Sequence, residues 1–353
     1  MIAAPQRRRL HMPNADSRLE LLEHWLKDEL RWNYQRIAPA SADASFRRYF
    51  RIWRDEGTFI VMDAPPDKED LPAYLRVTKL LHDCDVHVPL VHESDTGRGL
   101  ALLEDLGSMP YLSRLTAGAD ADALYGDALR ALAAIQLRGR EGAASLPPYD
   151  REVLLREMQL LPDWFCDRHL QQPLDTAGRA VFDATGELLI ADALSQPQVL
   201  VHRDYHSRNL MVTRARSPGI IDFQDALNGP VGYDLVSILK DCYIAWPRAR
   251  VTAWVREYRQ LLLAGGADAG TDDAQFLRWF DFIGLQRHIK VLGIFARLFW
   301  RDGKPAYLGD LPRTLDYVRD TAARYPELAD FALLVERSFA PQLAQANQRA
   351  LCA

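Results

Sequence analysis

The chain has 353 residues, 48% hydrophobic and 26% charged, a balance typical of a globular protein that is long enough for two lobes. Its formal net charge of −5 provides no electrostatic footprint for nucleic acid, and no apolar run approaches the roughly 18 residues needed to span a bilayer. The four cysteines lie far apart, as is typical of reduced thiols, which predicts a cytoplasmic protein. We further expect a monomer that binds neither nucleic acid nor membranes.

The first hundred residues combine one helical segment with several strand-like ones. Ser17 and Glu20 form a capping box, which predicts a helix that ends near Arg31. The elements predicted after it are three strands, a helix and two more strands: Tyr34–Ala40, Phe46–Trp53, Thr58–Asp63, Leu71–His82, Val86–His92 and Leu100–Glu104. Strands that surround a helix in so short a stretch indicate a small α+β lobe.

Beyond Gly107 the hydrophobic pattern becomes mainly helical. It predicts helices at Leu124–Leu137, Arg151–Leu160 and Thr176–Leu194, and short strands at Gln198–Val201, Leu210–Val212 and Ile220–Phe223. The rest of the chain after Tyr233 is predicted as helical, with breaks at Pro247, Gly265-Gly266, Gly303 and Pro312. We therefore predict a bilobal α+β fold, with a strand-rich N-terminal lobe over residues 1–107 and a larger helical lobe over residues 108–353.

Two motifs in the second half carry the chemistry. In Val201–Asn209, the run His202-Arg203-Asp204 is followed five residues later by Asn209, and in Ile220–Asp225 an apolar strand ends at Asp222. Phosphoryl transfer needs a base near the acceptor hydroxyl and oxygen ligands for magnesium, and this spacing supplies both. We interpret Asp204 as the catalytic base, and Asn209 and Asp222 as ligands of Mg²⁺.

Two further residues of these segments are interpreted as supporting the site. His202 is expected to be a hydrogen-bonded support of the catalytic loop rather than a proton carrier. Asp234 precedes an apolar helix, so we expect it to be the N-cap of that helix, with a second bond back to the loop as an addition.

The motifs V-H-R-D-Y-H-S-R-N-L-M and I-I-D-F-Q-D-A-L-N-G-P-V-G-Y-D-L resemble those of the aminoglycoside phosphotransferase family, which has the bilobal protein-kinase-like fold. Three other stretches, Asp43–Phe50, Leu161–Phe165 and Gly284–Phe295, resemble a bacterial subgroup of that family that phosphorylates N-acetylated cell-wall sugars. The resemblance spans about residues 17–330. It implies an ATP- and Mg²⁺-dependent kinase that phosphorylates the anomeric hydroxyl of N-acetylmuramate and N-acetylglucosamine during peptidoglycan recycling toward UDP-sugars.

The nucleotide-binding part departs from the kinase pattern. The loop Ala40–Ser45, where main-chain groups of Ser41 and Ser45 would hold phosphate, has no glycine, and the third strand lacks the usual Lys. Arg47 and Arg48 are the candidates to replace that cation, although both could instead be solvated. Because residues alternate across a strand, we expect only one of them to face the nucleotide. The resemblance maps the adenine-binding hinge to Leu103–Leu106, with Glu104 and Leu106 as its main-chain contacts.

The acceptor is expected near the catalytic loop and the helix that contains Gln286, Arg287 and Lys290, on which Gly293 would leave room. Arg208 and Asp225, beside the two motifs, are assigned to the same substrate site. Residues 281–304 hold five Lys or Arg against two Asp, which disfavours a polycationic aminoglycoside and suits a sugar with a lactyl carboxylate. The alternative is that most of these charges face water.

Two other functions remain open from the sequence. The same site would serve a kinase of another hydroxyl acceptor, such as an amino alcohol, an aminoglycoside or an amino acid. The missing Lys, and the missing Glu that would pair with it, favour instead a nucleotide-binding pseudokinase scaffold, whereas the intact His202, Asp204, Asn209 and Asp222 favour an enzyme.

Overall fold

A computed structural model describes residues 16–41 and 46–352. The chain divides into two compact units. The first consists of Met1–Ala73 and Pro89–Asp105, and the second of Tyr74–Val88 and Leu106–Ala353. The segment Tyr74–Val88 is thus grouped with the second unit, whereas the sequence-based boundary at residue 107 places it in the N-terminal lobe.

The first unit is built on a five-stranded antiparallel sheet with the strand order β1-β2-β3-β5-β4. The strands are β1 (Arg36–Ser41), β2 (Arg48–Arg54), β3 (Gly57–Asp63), β4 (Val91–Asp95) and β5 (Leu100–Glu104). The helix α1 (Ser17–His24), which continues as a π-helical turn Trp25–Glu29, packs on the sheet. Leu22, Trp25 and Leu26 form a buried core with Phe50, Ile52, Val61, Leu100 and Leu102.

The start of α1 differs from the predicted capping box. Its N-cap is Asp16, whose carboxylate accepts a hydrogen bond from the main-chain N–H of Leu19, at 3.2 Å. A carboxylate at the N-cap both satisfies a free N–H group and interacts favourably with the helix dipole, so Asp16 performs the role assigned to Ser17.

The sheet confirms four of the predicted strands and shifts the fifth. The strand predicted at Val86–His92 instead occupies Val91–Asp95. Pro89 has no N–H to donate to a ladder, so the segment before it does not pair with β5. His87 forms an isolated bridge to Gly219 within the second unit instead.

The second unit is mainly helical. Its helices are α2 (Leu71–Asp83, which begins in the first unit), α3 (Tyr111–Thr116), α4 (Ala121–Arg138), α5 (Arg140–Ala143), α6 (Arg151–Met158), α7 (Thr176–Ser195), α8 (Gly232–Leu239), α9 (Arg248–Ala264), α10 (Asp273–Trp300), α11 (Leu311–Ala322), α12 (Ala329–Leu334) and α13 (Ala340–Cys352). A π-helical segment, Leu161–Leu170, follows α6. None of the helices within the described ranges is long and apolar enough to cross a membrane.

The 28-residue helix α10 is the central element of this unit and is buried over most of its length. It packs against α7, α8, α11 and the π-helical segment. A Cβ atom at Gly293 would lie 2.3 Å from the main-chain carbon of Leu160, so the glycine permits a close approach of two backbones. Gly293 is therefore a packing residue and does not make room for an acceptor.

Two small antiparallel pairs frame the catalytic loop. The strand β6 (Gln198–Val201) pairs with β9 (Leu227–Pro230), and β7 (Leu210–Met211) pairs with β8 (Gly219–Ile220). The strand β9 was not predicted because its sequence, Leu-Asn-Gly-Pro, is typical of a turn. Pro312 lies in the first turn of α11, where proline is tolerated, so the break predicted there coincides with the start of this helix.

Candidate active site

The loop that joins β6 to β7 is organised around the buried imidazole of His202. Its Nε2 atom lies 3.1 Å from the main-chain oxygen of Ile221, and its Nδ1 atom lies 3.2 Å from the main-chain nitrogen of Asp204. The first contact needs a donor and the second an acceptor, so the ring is neutral with its proton on Nε2. Burial lowers the pKa of His202 to about 4, which agrees with this form. The contacts match the predicted supporting role.

Asp234 holds the start of the same loop. Its Oδ2 atom accepts from the main-chain N–H of His202 at 2.6 Å, and its Oδ1 atom accepts from that of Arg203 at 2.9 Å. The N-cap of α8 is Val231, so the predicted capping role is wrong, and the bond back to the loop is the main one. Arg203 has a positive φ of 81°, a strained conformation that these two hydrogen bonds help to offset.

The side chain of Asn209 connects the two motifs. The Nδ2 atom of Asn209 lies 3.0 Å from the main-chain oxygen of Asp204 and 3.3 Å from Oδ2 of Asp222. Asp222 follows β8 and has a positive φ of 64°, another strained backbone at this position. The structure therefore brings Asn209 and Asp222 side by side, next to the residue proposed as the base.

The electrostatic setting keeps Asp204 ionised. Burial acts to raise its pKa, but His206 in its protonated form and the cations Lys290 and Arg203 outweigh this effect and lower it. An ionised carboxylate can accept the proton of an alcohol, which is the chemistry required of a general base.

The donor set of Asn209 and Asp222 suits a hard cation. Because Asn209 uses its N–H groups on Asp204 and Asp222, its side-chain oxygen remains an acceptor, and carboxylate and amide oxygens are the ligands that Mg²⁺ prefers. Among residues 16–41 and 46–352, no group of three or more His, Cys, Asp or Glu side chains forms another metal-binding cluster.

Lys290, predicted to touch the substrate, is buried in an ion-paired network. Its Nζ atom lies 2.8 Å from Oε1 of Glu157 and 3.0 Å from the hydroxyl of Tyr233. Glu157 also accepts from Arg203 and Tyr149. Burial acts to raise the pKa of Glu157, but the cations Lys290 and Arg203 lower it to about 2. Lys290 is therefore already ion-paired within the protein, and Glu157 was not predicted because no local sequence pattern indicates its role.

Gln286 and Arg287, the other two candidates on α10, are also buried, but unlike Lys290 they have polar atoms without hydrogen-bond partners among the described residues. The amide oxygen and nitrogen of Gln286 have no hydrogen-bond partner among the described residues. The Nη1 atom of Arg287 lies 3.7 Å from Sγ of Cys242, and its Nε atom has no partner in the same part of the chain. Neither side chain faces water, so the alternative of solvated charges does not hold for them.

Arg208 and Asp225 lie at the surface of this unit. The guanidinium of Arg208 lies 3.4 Å above the ring of Tyr243, whose edge meets the ring of His206 at 5.4 Å. Asp225 is exposed and lies 3.4 Å from the side-chain nitrogen of Gln224. The stacking contact fixes Arg208 without neutralising its charge.

Asp241 is a second buried carboxylate that the sequence analysis missed. It accepts from the main-chain N–H of Ser207 at 3.0 Å and from the Ser207 hydroxyl, and its other oxygen accepts from the main-chain N–H of Tyr243 at 3.0 Å. Together with Asp234 it anchors the catalytic loop from the side of α8. Its position seven residues after Asp234, just beyond the largely apolar helix α8, is the local signal of this role.

In the first unit, the two arginines proposed as substitute cations differ in their partners. Arg48 donates to the buried carboxylate of Asp63, at 3.0 Å from Nε and 2.6 Å from Nη2, and also pairs with Asp16. Arg18 donates to Asp63 as well, at 2.9 Å. Arg48 is therefore already neutralised, which disfavours it as a phosphate ligand.

Arg47, by contrast, is buried with its Nε atom 3.5 Å from Oε2 of Glu69. Arg47 and Glu69 thus form a buried ion pair in this unit. Ser45 lies outside the described residues. Ser41 ends β1, and its side chain is likewise outside what the structure describes.

The hinge segment is only partly available for adenine. The main-chain N–H of Glu104 donates to the oxygen of Leu90 at 2.8 Å, and the Glu104 carboxylate accepts from the Leu90 N–H at 3.2 Å. The Glu104 N–H is therefore not free for a nucleotide, since strand pairing already uses it. Asp105 pairs with Arg51 at 2.6 and 2.9 Å, so it is not a solvated residue, and Leu106 is buried.

Residues 36–277 match the phosphotransferase enzyme family. The chain belongs to that family. This match covers both carboxylate motifs as well as the sheet of the first unit, and it confirms the resemblance drawn from the sequence.

Curated relatives cover nearly the whole chain. An N-acetylmuramate/N-acetylglucosamine kinase of Pseudomonas putida is 44% identical over 335 residues, which are 92% of this chain and 97% of the relative. A kinase of the same name from Neisseria meningitidis is 44% identical, over 89% of this chain and 94% of its own length. One from Caulobacter vibrioides is 30% identical, over 84% and 90%.

Solved structures confirm the predicted fold. An ADP-bound aminoglycoside phosphotransferase superposes with a TM-score of 0.55 over 86% of this chain and 98% of its own, at 16% identity. An ethanolamine kinase of Plasmodium vivax gives a TM-score of 0.59 over 88% and 96%, at 11% identity. Identities this low concern the fold alone, which is the kinase-like α+β fold of the family.

Proposed function

We propose that this phosphotransferase moves the γ-phosphate of ATP to the anomeric hydroxyl of N-acetylmuramate and N-acetylglucosamine, giving sugar 1-phosphates. The observation that carries the proposal is that the Asn209 side chain contacts both the main-chain oxygen of Asp204 and the carboxylate of Asp222, which brings the residue proposed as the base next to the two proposed metal ligands. The substrates are those in the names of the relatives, which match over most of their length.

The reaction would use Asp204 as the base. The anomeric oxygen attacks the γ-phosphorus, its proton passes to the carboxylate of Asp204, and the bond to the β-phosphate oxygen breaks to release ADP. The lowered pKa of Asp204 keeps this carboxylate ready to receive the proton. Its main chain is fixed by His202 and by the side chain of Asn209, so the loop holds the base without a rearrangement.

Asn209 and Asp222 would hold Mg²⁺, which neutralises charge on the phosphates when it is bound. In the first unit, Arg47 is the better candidate for the missing lysine, because Arg48 is already paired with two carboxylates. The main-chain groups of Leu106 and the carbonyl of Glu104 remain the proposed contacts of adenine, with those of Ser41 and Ser45 at the phosphates.

The acceptor site would consist of side chains of the second unit around Asp204. Arg208 and Asp225 are exposed beside the two motifs, and Gln286 and Arg287 present unpaired polar atoms. Lys290 would contribute mainly by its field, since Glu157 already pairs with it. Buried arginine and exposed Arg208 repel a polycation, which argues against an aminoglycoside acceptor. We further propose that the enzyme is a cytoplasmic monomer that returns cell-wall sugars toward UDP-linked precursors.

A coupled assay of ADP release tests the proposal, with the two N-acetyl sugars, ethanolamine, an aminoglycoside and serine as acceptors. We expect turnover with both sugars and a loss of at least about 100-fold in the Asp204→Asn variant. Turnover only with another acceptor would indicate a different kinase. No turnover with any acceptor, but retained nucleotide binding, would indicate a pseudokinase.

A further inference from the structure

Arg287 is a buried cation without a counter-ion in direct contact. Its side chain is in the middle of α10, and the residue is 4% exposed. The Nη1 atom contacts only the thiol sulfur of Cys242, at 3.7 Å, and the Nε atom has no hydrogen-bond partner. No carboxylate in the described part of the chain lies within ion-pair distance of Arg287.

This arrangement is unusual for the protein itself. The neighbouring buried cations on and near α10 are directly paired, Lys290 with Glu157 and Lys240 with Asp281. An arginine that is removed from water without a partner is costly, and its unused N–H donor adds to that cost. Arg287 would be stabilised if an anion from outside the chain completed its contacts.

The groups around Arg287 connect it to the loop that carries Asp204. Burial acts to lower the pKa of Arg287, but Cys242, Tyr233, Asp204 and Asp241 outweigh this effect, so the guanidinium stays protonated. The geometry agrees, because Arg287 contacts Cys242 and the adjacent Asp241 holds Ser207, which follows Asp204 by three residues on the loop. An acceptor whose hydroxyl meets Asp204 would have its other substituents within reach of this helix.

The chemistry of the two proposed acceptors differs in one charged group. N-acetylmuramate carries a lactyl ether that ends in a carboxylate, and N-acetylglucosamine has a neutral hydroxyl at that carbon. A guanidinium binds a planar carboxylate through two parallel hydrogen bonds, which a lysine or an amide cannot reproduce.

We propose that Arg287 binds the carboxylate of the lactyl group and so determines the preference for the acidic sugar over the neutral one. The inference rests on the proposed function. Arg287 acts here as a specificity-determining residue, and the neutral sugar is phosphorylated without this contact.

The test pairs a change in the protein with a change in the substrate. The values of kcat/KM are measured for N-acetylmuramate, for its lactyl carboxamide and for N-acetylglucosamine, with the wild type and with Arg287→Gln. In the wild type, the carboxamide should be about 10- to 100-fold poorer than the acid. In Arg287→Gln that difference should disappear, and kcat/KM should fall about 10- to 100-fold more for N-acetylmuramate than for N-acetylglucosamine.

Arg278→Gln is the matched control, because Arg278 lies on the same helix but forms a half-exposed pair with Glu327. It should leave the ratio of the two sugars unchanged. An equal loss of kcat/KM for all three acceptors in Arg287→Gln would overturn the inference and assign Arg287 to the support of Asp204. If Arg287→Gln does not fold, the wild type still provides a test. Equal values of its kcat/KM for N-acetylmuramate and for the lactyl carboxamide would overturn the inference. Failure of the wild type to phosphorylate either sugar would instead reject the proposed function.

Discussion

The Oδ2 atom of Asp234 lies 2.6 Å from the main-chain nitrogen of His202, so a residue of α8 holds the loop that carries the proposed base. The other oxygen of Asp234 binds the next N–H of the loop. A buried carboxylate thus fixes the strained backbone of Arg203 from a distance of 31 residues along the chain.

Removal of this acceptor should destabilise the protein and disable the loop. In Asp234→Ala two buried N–H groups lose their partner, so we expect the free energy of unfolding to fall by about 2–6 kcal/mol. Urea unfolding measures this loss. The free energy of unfolding of Asp234→Asn should lie between those of Asp234→Ala and the wild type. Asp330→Ala, at an exposed position of α12, is the control. Equal stability of Asp234→Ala and the control would contradict the anchoring role.

The buried imidazole of His202 predicts a loss of stability in mild acid. The pKa of His202 is about 4 in the folded chain and near 6.5 in the unfolded chain. Between these two pH values the unfolded chain binds a proton at this residue and the folded chain does not. Stability from this group is therefore present at neutral pH and is lost as the pH falls from about 6.5 toward 4. Between pH 7 and pH 5 the loss should be about 2 kcal/mol.

The comparison of His202→Asn with the wild type isolates the contribution of His202 to the acid loss of stability. Burial raises the pKa values of Asp192 and Asp234, so these residues favour the folded state in acid, but they do so in both proteins. Urea unfolding at the two pH values should give a smaller acid loss for the variant. The exposed His82→Asn is the control. If His202→Asn lost as much stability as the wild type, His202 would not be neutral in the folded state.

Arg47 and Arg48 should have separable effects. Arg48→Gln removes one of the partners of the buried Asp63, so it should lower Tm and leave the KM for ATP nearly unchanged. Arg47→Gln should raise the KM for ATP about tenfold, the effect of one lost charge-assisted contact. Steady-state kinetics and thermal unfolding of both variants measure the difference. A higher KM for Arg48→Gln than for Arg47→Gln would reverse the assignment.

Asp222→Asn should weaken only the magnesium-dependent part of nucleotide binding. The amide keeps an oxygen but loses the charge that a divalent cation needs, so the affinity for a non-hydrolysable ATP analogue should fall about 10-fold to 100-fold in Mg²⁺. Calorimetry in EDTA provides the control, in which variant and wild type should bind alike. A loss of the same size in EDTA would show that Asp222 does not act through the metal.

Sequence patterns predicted those elements whose structure depends on residues close together in the chain. The spacing from His202 to Asn209 and the position of Asp222 after a strand identified the group that the structure brings together. Most of the helices and the strands of the sheet followed from hydrophobic periodicity. These patterns are informative because each depends on residues that are close together in the chain.

Partners that are distant in the chain could not be predicted in the same way. Glu157 lies 133 residues from Lys290, and nothing in either segment indicates that the two charges meet. The same limit applies to Arg48 and Asp63, whose pairing depends on strand register, and to Gly293, whose role depends on the backbone of Leu160. Tertiary packing decides which partners a charged residue meets, so the pairing of Arg48 with Asp16 and Asp63 could not be predicted from the sequence.

The most direct test of the proposed function is the position of the new phosphate. Wild-type enzyme is incubated with ATP, Mg²⁺ and N-acetylmuramate, and the product is examined by proton and phosphorus NMR. We expect a phosphorus coupling to the anomeric proton, which identifies a 1-phosphate. A product phosphorylated at the 6-position, or no phosphorylated sugar although ATP binds, would contradict the account.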